Sequence, residues 1–213
     1  MKNRAAHDGF TIVEMLVVLT IIVILISLTL TGASFLRSQE ETKLVHETMD
    51  IIGAALQEYD EYDVGYQGDY SSFGYPVDCN ELPESDIEDC VRDAFGLSNP
   101  PQIQGTLDPK DSGISVMYFM LGRVPQCRET LGKIDRRFVK ATGATIKIDM
   151  GTVKEYNLYT IIDPWGTAYR YDYYDETITG SPVNRYDSRL SVPVVTSAGA
   201  DKFFDTDDDI SSQ

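Results

Sequence analysis

The sequence predicts an α+β chain: a long amino-terminal helix, membrane-spanning in its first half and amphipathic in its second, packed on a small antiparallel sheet. Three observations carry this. Residues 15–36 hold no charged side chain. Residues 44–59 repeat apolar positions at spacings of three and four. Residues 156–196 fall into short β-branched and aromatic runs split by turn-forming residues.

A chain of 213 residues is long enough for one domain with a core, plus an appendage. The net charge of −16 repels phosphates and argues against a nucleic-acid partner. It suits divalent cations wherever carboxylates converge.

At about 1.5 Å per residue, the uncharged run just crosses a hydrocarbon core of about 30 Å. A discarded signal peptide has an apolar stretch of only about 7–15 residues, so this one reads as a retained anchor. Lys2 and Arg4 precede it, and no basic cluster follows at once. That asymmetry places the amino end in the cytoplasm and the rest outside. Glu14 enters the same helix about 6 Å along the axis from Phe10. A carboxylate in such a setting calls for a partner. Gly9, at the edge of the leader, leaves room for a peptidase to approach the backbone.

Beyond Arg37, Leu44, Thr48, Ile51, Ile52, Ala55, Leu56 and Tyr59 form an apolar stripe. No proline interrupts residues 10–62, so one helix of some fifty residues is expected, weakest at Gly32 and Gly53. Residues 63–113 are turn-rich and acidic, with a short helix expected at 84–95. Residues 115–121 and 144–150 read as strands from their β-branched content. Lys133, Arg136, Arg137 and Lys140 form the only basic cluster and read as a solvated helix face. Strands are expected at 156–162, 169–174 and 191–196, joined by turns at 163–166 and 179–185.

Cys79, Cys90 and Cys127 would lie outside the cytoplasm, where a disulfide persists. One bridge and one leftover thiol are expected. Cys79–Cys90 closes the shortest loop, but the pairing stays open. The tail holds Asp201, Asp205, Asp207, Asp208 and Asp209, which repel one another unless a cation or water intervenes. It is no EF-hand, because Ile210 stands where that loop needs glycine. A loop folding back could still gather Asp201, Asp208 and Asp209 around calcium with the help of backbone carbonyls.

Gly9-Phe10-Thr11-Ile12-Val13-Glu14 and the apolar run resemble the class III leader and helix of type IV pilins and pseudopilins. The resemblance implies cleavage after Gly9 by a membrane prepilin peptidase and methylation of Phe10. It also implies pairing of Glu14 with the amino terminus of a neighbouring subunit. Asp163-Pro164-Trp165-Gly166 and the tail Ser197-x-Gly199-x-Asp201 with Asp208-Asp209-Ile210 resemble the major pseudopilin of type II secretion. That likeness implies calcium held by the side chains of Asp201, Asp208 and Asp209 and the carbonyls of Ala198 and Phe203. Lys202 departs from the family pattern, which usually has glycine there. The chain then divides into a leader (1–9), a membrane and filament-core helix (10–36), its amphipathic second half (37–62), an enlarged middle (63–155), and the sheet with its calcium-loop tail (156–213).

The expected function is a structural subunit of a type II secretion pseudopilus. The implied partners are further copies of the chain, the prepilin peptidase, an assembly platform and the membrane. Its place would be the bacterial inner membrane, single-pass, with the head in the periplasm or extracytoplasmic space, and then the assembled filament. A type IV pilus subunit for adhesion, DNA uptake or motility is the alternative, and a membrane-anchored calcium-dependent binding module a third. The sequence argues against an enzyme. His46 is the only histidine outside the leader, and no nucleophile–base or metal–histidine set accompanies it.

Overall fold

The structure, a computed structural model, describes residues 11–61, 75–76, 78–80, 82–149, 151–174 and 189–213, with the side chains of 28–36, 93–94, 174 and 189–191 excepted. Gly9, Phe10, the turns expected at 62–74 and 179–185, and Met150 lie outside the described residues.

Helix α1 (Ile12–Glu61) runs unbroken for 50 residues, through Gly32 and Gly53. By packing, the chain divides into two compact units, Met1–Lys43 and Leu44–Gln213. In the first unit the described apolar side chains, from Ile12 to Ile26, are exposed. Among the described residues no helix is long and apolar enough to cross a membrane. The side chains of 28–36, which complete the expected span, are not among those described.

In the second unit α1 buries Val45, Met49, Ile52, Ala55 and Leu56, one face at helical spacing. Leu44, Ile51 and Tyr59 flank that face half-buried. The stripe is therefore centred slightly to one side of the sequence reading, on Val45 and Met49. It shares a core cluster with Tyr169, Tyr171, Tyr173 and Val195 of the carboxyl-terminal strands. Full burial of side chains of this size contributes about 1.5–3 kcal/mol each.

Helix α2 (Glu84–Ala94) lies where the sequence places it. Its Glu88 accepts the backbone N–H of Ile103 at 2.6 Å and so ties α2 to strand β1 (Gln102–Gln104). Residues 115–121, expected as a strand, instead form most of helix α3 (Pro109–Leu121). Two start signals decide it. Asp108 caps the helix by accepting the N–H of Lys110, and Pro109 sits in the first turn. Helix α3 also packs on two sides, with Ile114, Met117 and Leu121 in the α1 cluster and Val116, Phe119 and Met120 in a second. A helix buried all round has no amphipathic period, so β-branched content and a partial alternation misled.

Helix α4 (Pro125–Leu131) follows, and was not expected. The basic cluster does not form a helix face. Asp135 accepts the N–H of Arg137 and starts a 3-10 turn (Arg136–Phe138), from which the chain enters strand β2 (Val139–Asp149). Lys133, Arg136, Arg137 and Lys140 are exposed, as expected of a solvated cluster.

Among the described residues two three-stranded antiparallel sheets form rather than one. The first has the order β1-β2-β3, with β3 at Val153–Ile161. The register of β2 on β3 shifts between Ala141 and Thr145. Gly105, at φ +93°, passes so close to this shift that a Cβ would sit 2.9 Å from the Gly143 carbonyl. The second sheet has the order β4-β5-β6, from Arg170–Tyr174, Arg189–Ser197 and Ile210–Ser211. The sheets meet at one corner. There Ile162 donates its N–H to Phe138 (2.8 Å), and Ile161 accepts that of Tyr169 (3.1 Å).

Candidate functional site

Two places in the chain carry the predicted site residues: the amino end of α1 and the loop between β5 and β6.

At the amino end, Thr11 and Glu14 form a reciprocal cap. Glu14 Oε2 accepts the Thr11 N–H at 2.9 Å and the Thr11 hydroxyl at 2.8 Å, while Thr11 Oγ1 accepts the Glu14 N–H at 3.3 Å. These bonds satisfy orphan donors of the first turn and place negative charge at the positive end of the helix. The signal was legible, since Thr-x-x-Glu ahead of an apolar run is the capping-box pattern. Only Oε2 takes part among the described residues; Oε1 accepts none of these bonds.

The carboxyl-terminal place starts at the turn after β3. Asp163 is 1% exposed and fully engaged. Its Oδ1 accepts the N–H groups of Trp165 (3.1 Å) and Thr167 (2.8 Å), and its Oδ2 accepts the Ser197 hydroxyl (2.8 Å). Burial pushes its pKa up, against the opposing pull of these bonds. Sequence reading took residues 163–166 for a turn alone. It missed the link to Ser197, which lies 34 positions away and ties the turn to the start of the tail loop.

The loop then closes on itself. Gly199 has φ +66°, and a Cβ there would run into the carbonyl and carboxylate of Asp208. Asp208 Oδ2 accepts the Asp201 N–H (3.0 Å), and its Oδ1 the Thr206 hydroxyl (2.7 Å). Those bonds, first that from the Asp201 backbone, hold the Asp208 carboxyl below the usual carboxylate range. Asp201 Oδ1 accepts the Phe203 N–H (2.8 Å), and Asp209 Oδ2 that of Asp205 (2.7 Å). Strand β6 pins the far end, with Ile210 opposite Ser197.

Lys202 adopts φ +67°, the conformation that the family's glycine would take freely. Asp205 is the second non-glycine in this region, at φ +68°. Its carboxylate meets Arg170, at 3.2 Å from Nη2 and 3.4 Å from Nη1. Nothing in the sequence pointed to this pair, whose members lie 35 positions apart on different elements.

Of the expected calcium ligands, Asp201 and Asp208 are brought together through a backbone bond, and Asp209 folds back on Asp205. Ala198 is buried, and the Phe203 carbonyl accepts the Thr206 hydroxyl at 3.2 Å. Among the described residues, no three His, Cys, Asp or Glu side chains form a group that could hold a metal ion by themselves. One observation fits a hard cation. Among the described residues Asp209 Oδ1 is buried without a hydrogen-bond partner, and carboxylate oxygen is a ligand that such a cation takes.

The cysteines divide between the clusters. Cys79 and Cys90 share the second core cluster. Cys127 is a buried free thiol in the first, donating to the Ala55 carbonyl at 3.3 Å.

No curated protein and no solved structure matches the chain. Residues 4–30 match the family model for the prokaryotic N-terminal methylation motif, the signal of type IV pilins and pseudopilins. That motif implies prepilin-peptidase processing and filament assembly in general, and with them a membrane-anchored, extracytoplasmic structural subunit. Carried on an α+β chain with a long amino-terminal helix and small antiparallel sheets, it marks a type IV pilin-like protein.

Proposed function

We propose that the chain is a structural subunit of a type II secretion pseudopilus, cut after Gly9, methylated on Phe10, and anchored in the inner membrane until an assembly platform extracts it. The observation that supports this machine over others is the bond from Ser197 to Asp163. It couples the Asp163-Pro164-Trp165-Gly166 turn to the acidic loop, the two features that resemble the major pseudopilin. In this reading Asp201, Asp208 and Asp209, with the carbonyls of Ala198 and Phe203, hold calcium. The bound ion would offset the mutual repulsion of the tail's aspartates. Glu14, whose bonds among the described residues all fall on Oε2, would meet the cationic amino terminus of a neighbour; burying that pair in the filament fixes axial register.

A type IV pilus subunit is the second reading. The enlarged middle favours it, because helices α2, α3 and α4 form a block of the head that a bare piston would not need.

The test uses protein from its native membrane. Mass spectrometry should find N-methylated Phe10 as its terminus, and an intact Met1 in assembled material would overturn processing. The head should melt at higher temperature in millimolar calcium than in chelator, with magnesium a poor substitute. Asp201→Ala and Asp208→Ala should remove most of that shift. A head indifferent to calcium would move the choice towards a pilus.

A further inference from the structure

We infer that Arg170 is the positioning residue of the tail loop: a tethered cation that orders residues 201–205 against strand β4 before any calcium ion arrives. This deepens the calcium reading above, and only its titration arm rests on that reading.

The loop cannot easily hold itself. Two of its non-glycine residues, Lys202 and Asp205, stand in the left-handed region, which is costly for any residue with a Cβ. Its aspartates repel one another, and Asp201, Lys202, Phe203 and Asp205 are exposed. Arg170 answers both problems from one place. Its Nε is held by Asp172 of the same strand at 3.0 Å, which fixes the direction of the guanidinium. Both terminal nitrogens then reach Asp205, and the flat face lies 4.7 Å from the centre of the Phe204 ring. A planar fork can bind a carboxylate and cover an aromatic ring at once, which a lysine ammonium cannot match. The anchor is firm, because Arg170 pairs with Thr196 of β5. Its own side chain is 31% exposed but that of Asp205 is 80% exposed, so the contact stays open to salt on the loop side.

The consequence for binding follows from populations. A ligand meets its competent loop in proportion to the fraction already ordered, and its apparent affinity falls by that fraction. Loss of the fork should therefore raise the calcium concentration needed while leaving the saturated state alone.

Lys202 supplies the readout. Trypsin cuts after lysine only in a segment that can leave its folded path, so release of the peptide beginning at Phe203 reports loop opening. The experiment uses the full chain in detergent micelles, digested first in chelator and then across a calcium titration. Arg170→Gln and Asp205→Ala should each speed that cut about fivefold in chelator, the scale of one good ion pair. Their calcium midpoints should rise by a similar factor, with equal protection at saturation. The charge-swapped double variant, Arg170→Asp with Asp205→Arg, adds a trypsin site at 205, so it is compared with the unmodified chain using a protease that cuts after lysine alone; there it should recover part of the protection, which a merely structural role would not predict. Asp205 is exposed, so Asp205→Ala decides the matter if Arg170→Gln fails to fold. An unchanged cutting rate for Asp205→Ala in chelator would overturn the tether. Faster cutting of both variants with no calcium protection in the unmodified chain would support the tether and sink the calcium reading alone.

Discussion

Glu14 and Asp163 do the same local chemistry in opposite surroundings. Each carboxylate accepts nearby backbone N–H groups and fixes the start of a structural feature, a helix in one case and a turn in the other. Asp163 is buried with both oxygens taken, one by two amides and one by a hydroxyl. Glu14 stands on an exposed apolar helix, and among the described residues its bonds are gathered on Oε2. A saturated carboxylate in a core is architecture, since nothing more can bind there without breaking what exists. A half-used one among exposed apolar side chains has capacity for a partner. The difference lies in saturation and burial, not in residue type.

The sharpest way to break this comparison is Glu14→Ala. It should abolish filament recovery in a shear-and-pellet assay while insertion, cleavage and head melting stay normal. Normal filament yield would place Glu14 with Asp163 as a local cap and nothing more.

Asp163→Ala should have the converse effect. It strands two amides and a hydroxyl in a buried site, so the head should lose about 3 kcal/mol. Urea unfolding followed through Trp165, the only tryptophan, would measure it. A loss under about 1 kcal/mol would mean that water replaces the carboxylate and the saturation argument fails.

Thr11→Ala separates capping from pairing at the amino end. Loss of an N-cap costs about 1 kcal/mol, felt only in the first turn. Amide exchange should quicken near Glu14, while filaments still form, because the carboxylate remains.

The smallest effect is that of pH. Burial raises the pKa of Asp163, and likewise of Asp111 and Asp172. For such groups the folded state holds the proton more tightly. Their contribution is fullest below the ordinary carboxylate value of about 4 and is lost as pH rises through the folded value. Asp135 and Asp208 are shifted the other way, and their contribution fades as pH falls below that range. In chelator the melting temperature should therefore peak on the acid side of neutrality. Asp163→Asn should flatten the limb between pH 4 and neutrality. A melting curve that rises steadily from pH 5 to 8 would contradict these directions.

Much of this was readable in advance, and the exceptions have physical causes. Helix α1 announced itself by length and period, and β2 to β5 by their β-branched or aromatic runs, because each has one face that the pattern can report. Helix α3 did not, because packing on two sides erases the period that separates a helix from a strand. At the candidate site, residues close in sequence were legible: the Thr11–Glu14 box, the turn at Asp163 and the Ser197-x-Gly199-x-Asp201 entry. Contacts that depend on the tertiary fold were not. The Ser197–Asp163 and Arg170–Asp205 bonds join elements that only the two sheets bring together, and a single arginine between tyrosines carries no sign of its partner.

The buried thiol of Cys127 also bears on how the head would fare outside the cytoplasm. Burial, and then the neighbouring Glu58, push its pKa up to about 11, so the thiolate that attacks disulfides is almost absent near neutral pH. An odd cysteine in an oxidising compartment is ordinarily a hazard, free to reshuffle a correct bridge or to cross-link two chains. Here it sits in a different core cluster from Cys79 and Cys90 and is kept in its unreactive form. Once folded, the head keeps the Cys127 thiol buried and protonated, so any exchange through it belongs to the time before α4 docks.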